Sequence, residues 1–155
     1  MHALFTITVV LFQPRDVRNI GAVVRAMKNM GFRRLRLVQP APFDPADLRG
    51  IAHRSDDILS EMARYDTLDA ALADMHYVVG TSEHLHAERP LRTDLRAVAA
   101  ELAARAATSR VALLFGPEDN GLSHHELDRC HLIVRVPTAE QYPSLNLAQA
   151  ALLLL

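Results

Sequence analysis

The chain of 155 residues has one cysteine, Cys130, no tryptophan, and only 5% aromatic residues. A single cysteine excludes an intrachain disulfide and a thiolate cluster for a metal, and it leaves Cys130 as a small buried hydrophobe. No stretch approaches the roughly 20 consecutive apolar residues of a membrane helix. The apolar start, Met1 to Gln13, has neither a basic segment ahead of it nor an evident cleavage site. A cytosolic location with no membrane association is expected. Charge of one sign is missing too: the formal net charge is −1, not the strongly basic balance common in nucleic-acid-binding domains.

What is present is apolar mass and locally concentrated charge. Half of the residues are hydrophobic, enough for one core, so a single domain over residues 1–155 is expected. Between Arg15 and Arg36 stand seven cations (Arg15, Arg18, Arg25, Lys28, Arg33, Arg34, Arg36) against one acid, Asp16. Such a run suits phosphate contacts and equally suits a solvated helix face with its loop.

Patterning predicts alternating strands and helices. Ile7–Phe12 is an apolar, β-branched run that suits a buried parallel strand. Ile20, Val23, Val24, Met27 and Met30 fall at helical spacing, with Asn19 a candidate N-cap and Gly31 where a left-handed C-terminal cap belongs. Leu35–Val38, Tyr77–Thr81, Val111–Phe115 and Leu132–Val136 read as further strands. Pro42 to Ala73 reads as loops and short helices, with Thr67 capping the last of them, and Glu83–Thr93 as a polar loop. Leu95, Val98, Leu102 and Ala106 mark a helix, Ser123 and Glu126 have capping-box spacing, and Leu145–Leu155 begins a final helix. This alternation predicts an α/β domain around a mostly parallel sheet flanked by helices. The chain stops on Ala151-Leu152-Leu153-Leu154-Leu155, an uncapped apolar end, so the natural protein is expected to continue beyond it.

Three clusters follow predicted strands, where open α/β sheets place their ligands. In Asn19-Ile20-Gly21-Ala22-Val23-Val24-Arg25, the residues read as a capped helix with a solvated arginine, or as a site in which Arg25 shares a side of the helix with Asn19. In Phe115-Gly116-Pro117-Glu118-Asp119-Asn120-Gly121-Leu122, turn chemistry explains Pro117 and Asn120-Gly121 but not Gly116 and Glu118 at the strand end. In Val136-Pro137-Thr138 with Tyr142-Pro143-Ser144-Leu145-Asn146-Leu147-Ala148, Ser144 is a candidate N-cap, and the polar pair Ser144 and Asn146 is also able to present a hydroxyl and an amide to a substrate.

In this order the clusters resemble the three motifs of the SpoU branch of the SPOUT superfamily, the S-adenosylmethionine-dependent RNA ribose 2'-O-methyltransferases. The resemblance covers nearly the whole chain. Arg25-Ala26-Met27-Lys28-Asn29-Met30-Gly31 and Val79-Gly80-Thr81-Ser82 bring it nearest to the bacterial tRNA methyltransferases that act on nucleotide 32 of the anticodon loop. The resemblance implies a C-terminal deep trefoil knot, a homodimer with the site near the interface, and an RNA substrate, tRNA before rRNA. It implies cofactor contacts from Thr81, Ser82, Glu83, Gly116, Val136, Ser144 and Leu145, and catalytic or site-shaping roles for Arg25, Asn19, Glu118, Ser144 and Asn146. The family's longer members carry a C-terminal extension. Where relatives follow the Thr-Ser pair with a small residue and arginines, this chain has Glu83-His84-Leu85-His86-Ala87-Glu88 before Arg89.

Arg25 carries a guanidinium that stays protonated, which favours charge stabilisation over a role as a base. The paired histidines His84/His86 and His124/His125 with His131 lack the companion ligands of a zinc site, so no metal is expected. The turn Gln13–Asn19 lacks the spaced glycines of a dinucleotide site. A non-catalytic RNA-binding module of the same fold is the remaining alternative.

Overall fold

The computed structural model describes residues 6–83, 88–141 and 145–155. Fourteen elements follow one another along the described residues: β1 (Thr8–Phe12), α1 (Val17–Met30), β2 (Arg34–Val38), α2 (Pro45–Ile51), α3 (Asp56–Glu61), β3 (Ala63–Tyr65), α4 (Leu68–Leu72), β4 (Tyr77–Thr81), β5 (Leu91–Arg92), α5 (Leu95–Ala106), β6 (Val111–Phe115), α6 (His124–Leu127), β7 (Leu132–Val134) and α7 (Leu147–Leu154). The strands form one sheet in the order β3-β2-β1-β6-β4-β7-β5, every neighbouring pair parallel. A parallel sheet must be covered on both faces. One face packs under α1, α2, α3, α5 and α7, through residues such as Val9, Leu11, Leu113 and Phe115. The other carries Val10, Val78, Leu114 and Ile133 under the shorter α4 and α6.

Helix α1 shows why the local sequence folds as it does. Ile20, Val23, Val24 and Met27 are all within 1% of complete burial, a stripe at helical spacing worth roughly 1.5–3 kcal/mol per side chain. Gly31 ends the helix at φ 84°, and Phe32 N donates to Met27 O at 2.9 Å, closing the terminal carbonyls. The N-cap is Asp16, whose side chain accepts from Arg18 N. Asn19 is therefore in the first turn and not the cap, because the helix starts earlier than its apolar stripe.

Other expectations shift in the same way. The final helix is capped by Asn146, whose Oδ1 accepts from Ala148 N at 2.8 Å, with Gln149 returning to the Asn146 amide. Ser144, expected as that cap, lies outside the described residues. The last core strand stops at Val134 and leaves Val136 beyond it. Two short strands interrupt stretches read as loop: β3 pairs with β2, and β5 pairs with β7.

Although β7 is separated from β1 by β6 and β4 in the sheet, α7 returns to pack against α1. The start of α7 thus lies at the C-terminal ends of the central strands. That return builds the cleft described next.

Candidate active site

Strand order reverses around β1 and β6, with β2 on one side and β4 on the other, and such a switch point opens a crevice at the carboxyl ends of the strands. A cleft of about 150 Å³ lies there. Thr81, Ser82 and Glu83 line it from the end of β4, Phe115 to Gly121 from the end of β6, Val134 and Val136 from the end of β7 and just beyond it, and Leu145, Leu147 and Ala150 from just before α7 and its first turn. Six of the seven residues expected to contact a cofactor therefore share one cavity; the seventh, Ser144, is outside the described residues. Leu147 and Ala150 were missed in the sequence, because their place in the cleft depends on α7 returning from a distant strand.

Close packing shapes the wall formed by the second cluster. A Cβ on Gly116 would meet Gly121 C at 2.4 Å and Leu122 N at 2.5 Å, both backbone atoms, so only glycine lets the loop fold back on the strand end. Thr81 Oγ1 donates to Leu114 O at 3.3 Å, and Ser82 N donates to Val134 O at 3.2 Å, fixing the end of β4 between its neighbours.

Glu118 joins this loop to the entrance of α1. Its two carboxylate oxygens accept from Arg15 N at 3.1 and 3.0 Å, while the Arg15 guanidinium pairs with Asp119 at 2.9 Å. Partial burial pushes the Glu118 carboxyl above its ordinary range, opposed by the backbone hydrogen bond from Arg15. The third cluster closes on the first through Asn146, whose Nδ2 donates to Asn19 Oδ1 at 3.1 Å. Three clusters distant in sequence are thereby tied together around one cleft.

Arg25 is not among the residues lining it. At 3.6 residues per turn, the six positions from Asn19 to Arg25 separate them by about 120° around the helix, so the two do not share a side as expected. Arg25 is exposed, and its electrostatic setting is distinctive. Arg15 pairs with Asp119, Arg18 with Asp16, Lys28 with Asp57, Arg33 with Asp57 and Glu61, and Arg36 with Asp74. Of the seven clustered cations, Arg25 and Arg34 alone lack an acidic partner among the described residues, and Arg34 opens β2 at the opposite end of the sheet. The basic run of the sequence is thus mostly neutralised by acids from elsewhere in the chain.

Cys130 is buried, which raises its thiol to about 12, so it is no nucleophile. Among the described residues no group of three His, Cys, Asp or Glu side chains is placed to hold a metal ion, and no helix is long and apolar enough to cross a membrane.

A doubly wound parallel sheet, with a C-terminal helix folded back beside the first at the carboxyl ends of the central strands, is the α/β architecture of a SpoU-type methyltransferase domain. The chain belongs to the SpoU rRNA methylase family, whose model matches residues 6–155. It is similar to the tRNA (cytidine-2'-O-)-methyltransferase TrmJ of Methanocaldococcus jannaschii, at 32% identity over 98% of this chain and 66% of that protein. It is 38% identical to the tRNA (cytidine/uridine-2'-O-)-methyltransferase TrmJ of Sodalis glossinidius, over 97% of this chain and 59% of that protein. Among solved structures, a probable methylase family protein from Haemophilus influenzae Rd KW20 superposes with a TM-score of 0.89 at 34% identity, covering 97% of this chain and 64% of that one. The chain spans about three-fifths to two-thirds of the length of these relatives.

Proposed function

We propose that the chain is the catalytic domain of a cytoplasmic enzyme that transfers a methyl group from S-adenosylmethionine to a ribose 2'-hydroxyl of tRNA, at nucleotide 32 of the anticodon loop. The observation that carries this reading is the convergence of the three clusters, with Glu118 and Asn146 tying the second and third to the first. The names of the similar proteins support tRNA as the substrate and a pyrimidine nucleotide as the target.

The cleft suits the methyl donor chemically. Phe115, Val134, Val136, Leu145 and Leu147 offer apolar walls to an adenine, and the carboxylates of Glu83 and Glu118 suit a cation. The donor, when bound, supplies a methyl group already activated on a positively charged sulfur, so no metal is needed. Thr81, Ser82, Gly116 and Leu145 would hold it, with Ser144 beside them.

The chain's own task is to orient the ribose and to ease loss of the 2'-proton. The guanidinium of Arg25, without an acidic partner among the described residues, holds the neighbouring phosphate and stabilises the negative charge developing on the 2'-oxygen. Asn19 and Asn146 fix the junction of α1 and α7 on which that geometry depends.

We infer a homodimer that forms against the side of α1 and α7. Val23, Val24 and Met27 of α1 are consumed by the chain's own core and are not free for an interface, but Met30 is 43% exposed and Leu152 on the adjoining α7 is 49% exposed. The return of α7 over α1 is the arrangement that a threaded trefoil knot requires, and we assign the knot to this segment. Titration calorimetry tests the cofactor assignment: about one molecule of S-adenosylmethionine or its demethylated product should bind per chain. No heat with either ligand, from folded protein, would overturn it.

A further inference from the structure

The cleft and Arg25 leave a pair of glutamines unexplained. Gln13 follows β1 and Gln39 follows β2, and each is followed by a proline, Pro14 and Pro40. Both have positive φ, 50° and 48°, a region that residues with side chains rarely adopt and in which a following proline adds steric conflict. The two strand ends are neighbours, since Phe12 is in register with Val38, at the same end of the sheet as the cleft. Their side chains form an amide ladder. Gln39 Nε2 donates to the backbone oxygen of Asp66 at 2.7 Å, and Gln13 Nε2 donates to Gln39 Oε1 at 2.8 Å.

The far end of the ladder sets its polarity. A backbone carbonyl only accepts, so Gln39 turns its NH2 toward Asp66 and its oxygen toward Gln13. Gln13 answers with one N–H of its own amide, which leaves its second N–H and its Oε1 with no partner among the described residues. An isolated glutamine can present its amide either way round, whereas the bond to Gln39 fixes which side of this one carries the acceptor. It stands two residues before Arg15, whose amide is held by Glu118 on the wall of the cleft.

We propose that Gln13 reads the base of the methylated nucleotide and selects cytidine over uridine. This rests on the reading of the cleft as a ribose 2'-O-methyltransferase site. With the ribose at the cleft, the exocyclic group at position 4 of a pyrimidine lies across the ring from the sugar, and we place it at the strand end that carries Gln13. In cytosine that group is an amino donor, and in the uracil ring it is a carbonyl acceptor. The locked Oε1 accepts from the first and opposes the second. Gln39 is a positioning residue that acts through Gln13.

The test compares two transcripts of one tRNA that differ only by C or U at the methylated position, found beforehand by mass spectrometry. The wild-type protein should favour the cytidine transcript by about tenfold in kcat/KM, the worth of about one hydrogen bond. Asn tolerates positive φ, so Gln39→Asn preserves the turn, but its side chain is one methylene too short to span from Asp66 to Gln13. The freed Gln13 amide can then turn over, and the preference should fall to about one to two, chiefly by a gain on uridine. Gln13→Asn should also lower the preference, by a loss on cytidine. Both variants should keep the wild-type thermal midpoint within a few degrees and the wild-type affinity for S-adenosylmethionine. Equal use of both transcripts by the wild type, a preference for uridine, or a folded Gln39→Asn protein with the full preference would overturn the assignment of Gln13. Absence of transfer to either transcript from folded, cofactor-binding protein would instead overturn the reading of the site.

Discussion

Replacing Asn146 with Ala removes two hydrogen bonds with different purposes. Its Oδ1 caps α7 at Ala148 N, 2.8 Å away, and its Nδ2 reaches Asn19 Oδ1 on α1 at 3.1 Å. Loss of an N-cap costs about 1 kcal/mol, and loss of a side-chain hydrogen bond about another 0.5–1 kcal/mol. The total of about 2 kcal/mol should lower the thermal midpoint by roughly 4–8 °C in a domain of this size. Asn146→Asp separates the two purposes. Its carboxylate still caps the helix and sits favourably at the positive end of the helix dipole, and Asn19 restores the second bond by turning its amide to donate. The Asp variant should melt within about 2 °C of wild type. Because Leu145 and Leu147 flank this residue and line the cleft, the Ala variant should also bind S-adenosylmethionine more weakly than the Asp variant. Circular dichroism melting with parallel calorimetry reads both quantities. An Ala variant that melts and binds like wild type would refute the claim that Asn146 clamps α7 to α1.

The Arg36 hydrogen bonds hold the Asp74 carboxyl at about 2, so its contribution to stability is present above its ordinary pKa and is lost as pH falls toward that value. With 39% of its side chain exposed, the pairing is worth about 1 kcal/mol after solvent screening. Urea unfolding of Asp74→Asn should therefore show a deficit of about that size at pH 7 that closes near pH 2; a deficit that grows in acid would be the wrong sign. Arg25→Ala should lower methyl transfer by on the order of 10²-fold or more, with cofactor affinity within about threefold of wild type. Arg25→Lys should recover little, since an ammonium cannot reproduce the planar fork. Near-normal transfer by Arg25→Ala would leave Arg25 a solvated helix residue.

Strands β1, β4 and β6 were legible because each is a continuous apolar run buried on both faces, and α1 because its stripe and Gly31 act locally. Capping was harder. Asp16 and Asn19 are both good caps three residues apart, and Asp16 prevails because it accepts from Arg18 N and pairs with the Arg18 side chain. Strands β3 and β5, of three and two residues, have no period of their own and exist through pairing with β2 and β7. The reading of the basic run stayed open for the same reason: the acids Asp57, Asp74 and Asp119 that pair with it lie 24 to 104 residues away along the chain, counting from Arg33 to Asp57 and from Arg15 to Asp119. Motif resemblance supplied the cleft residues, whereas the Asn19–Asn146 bond, across 127 residues, required the fold.

The central claim is a methyl group placed on a ribose oxygen of tRNA. The protein is incubated with tRNA and S-adenosylmethionine labelled in its methyl group, and the RNA is then digested with alkali and with nucleases. A methylated 2'-oxygen cannot attack the adjacent phosphate, so the label should survive alkali in a dinucleotide and appear after complete nuclease digestion as a 2'-O-methylpyrimidine nucleoside. Label on a base, or no label in RNA from folded protein that binds the cofactor, would contradict the account.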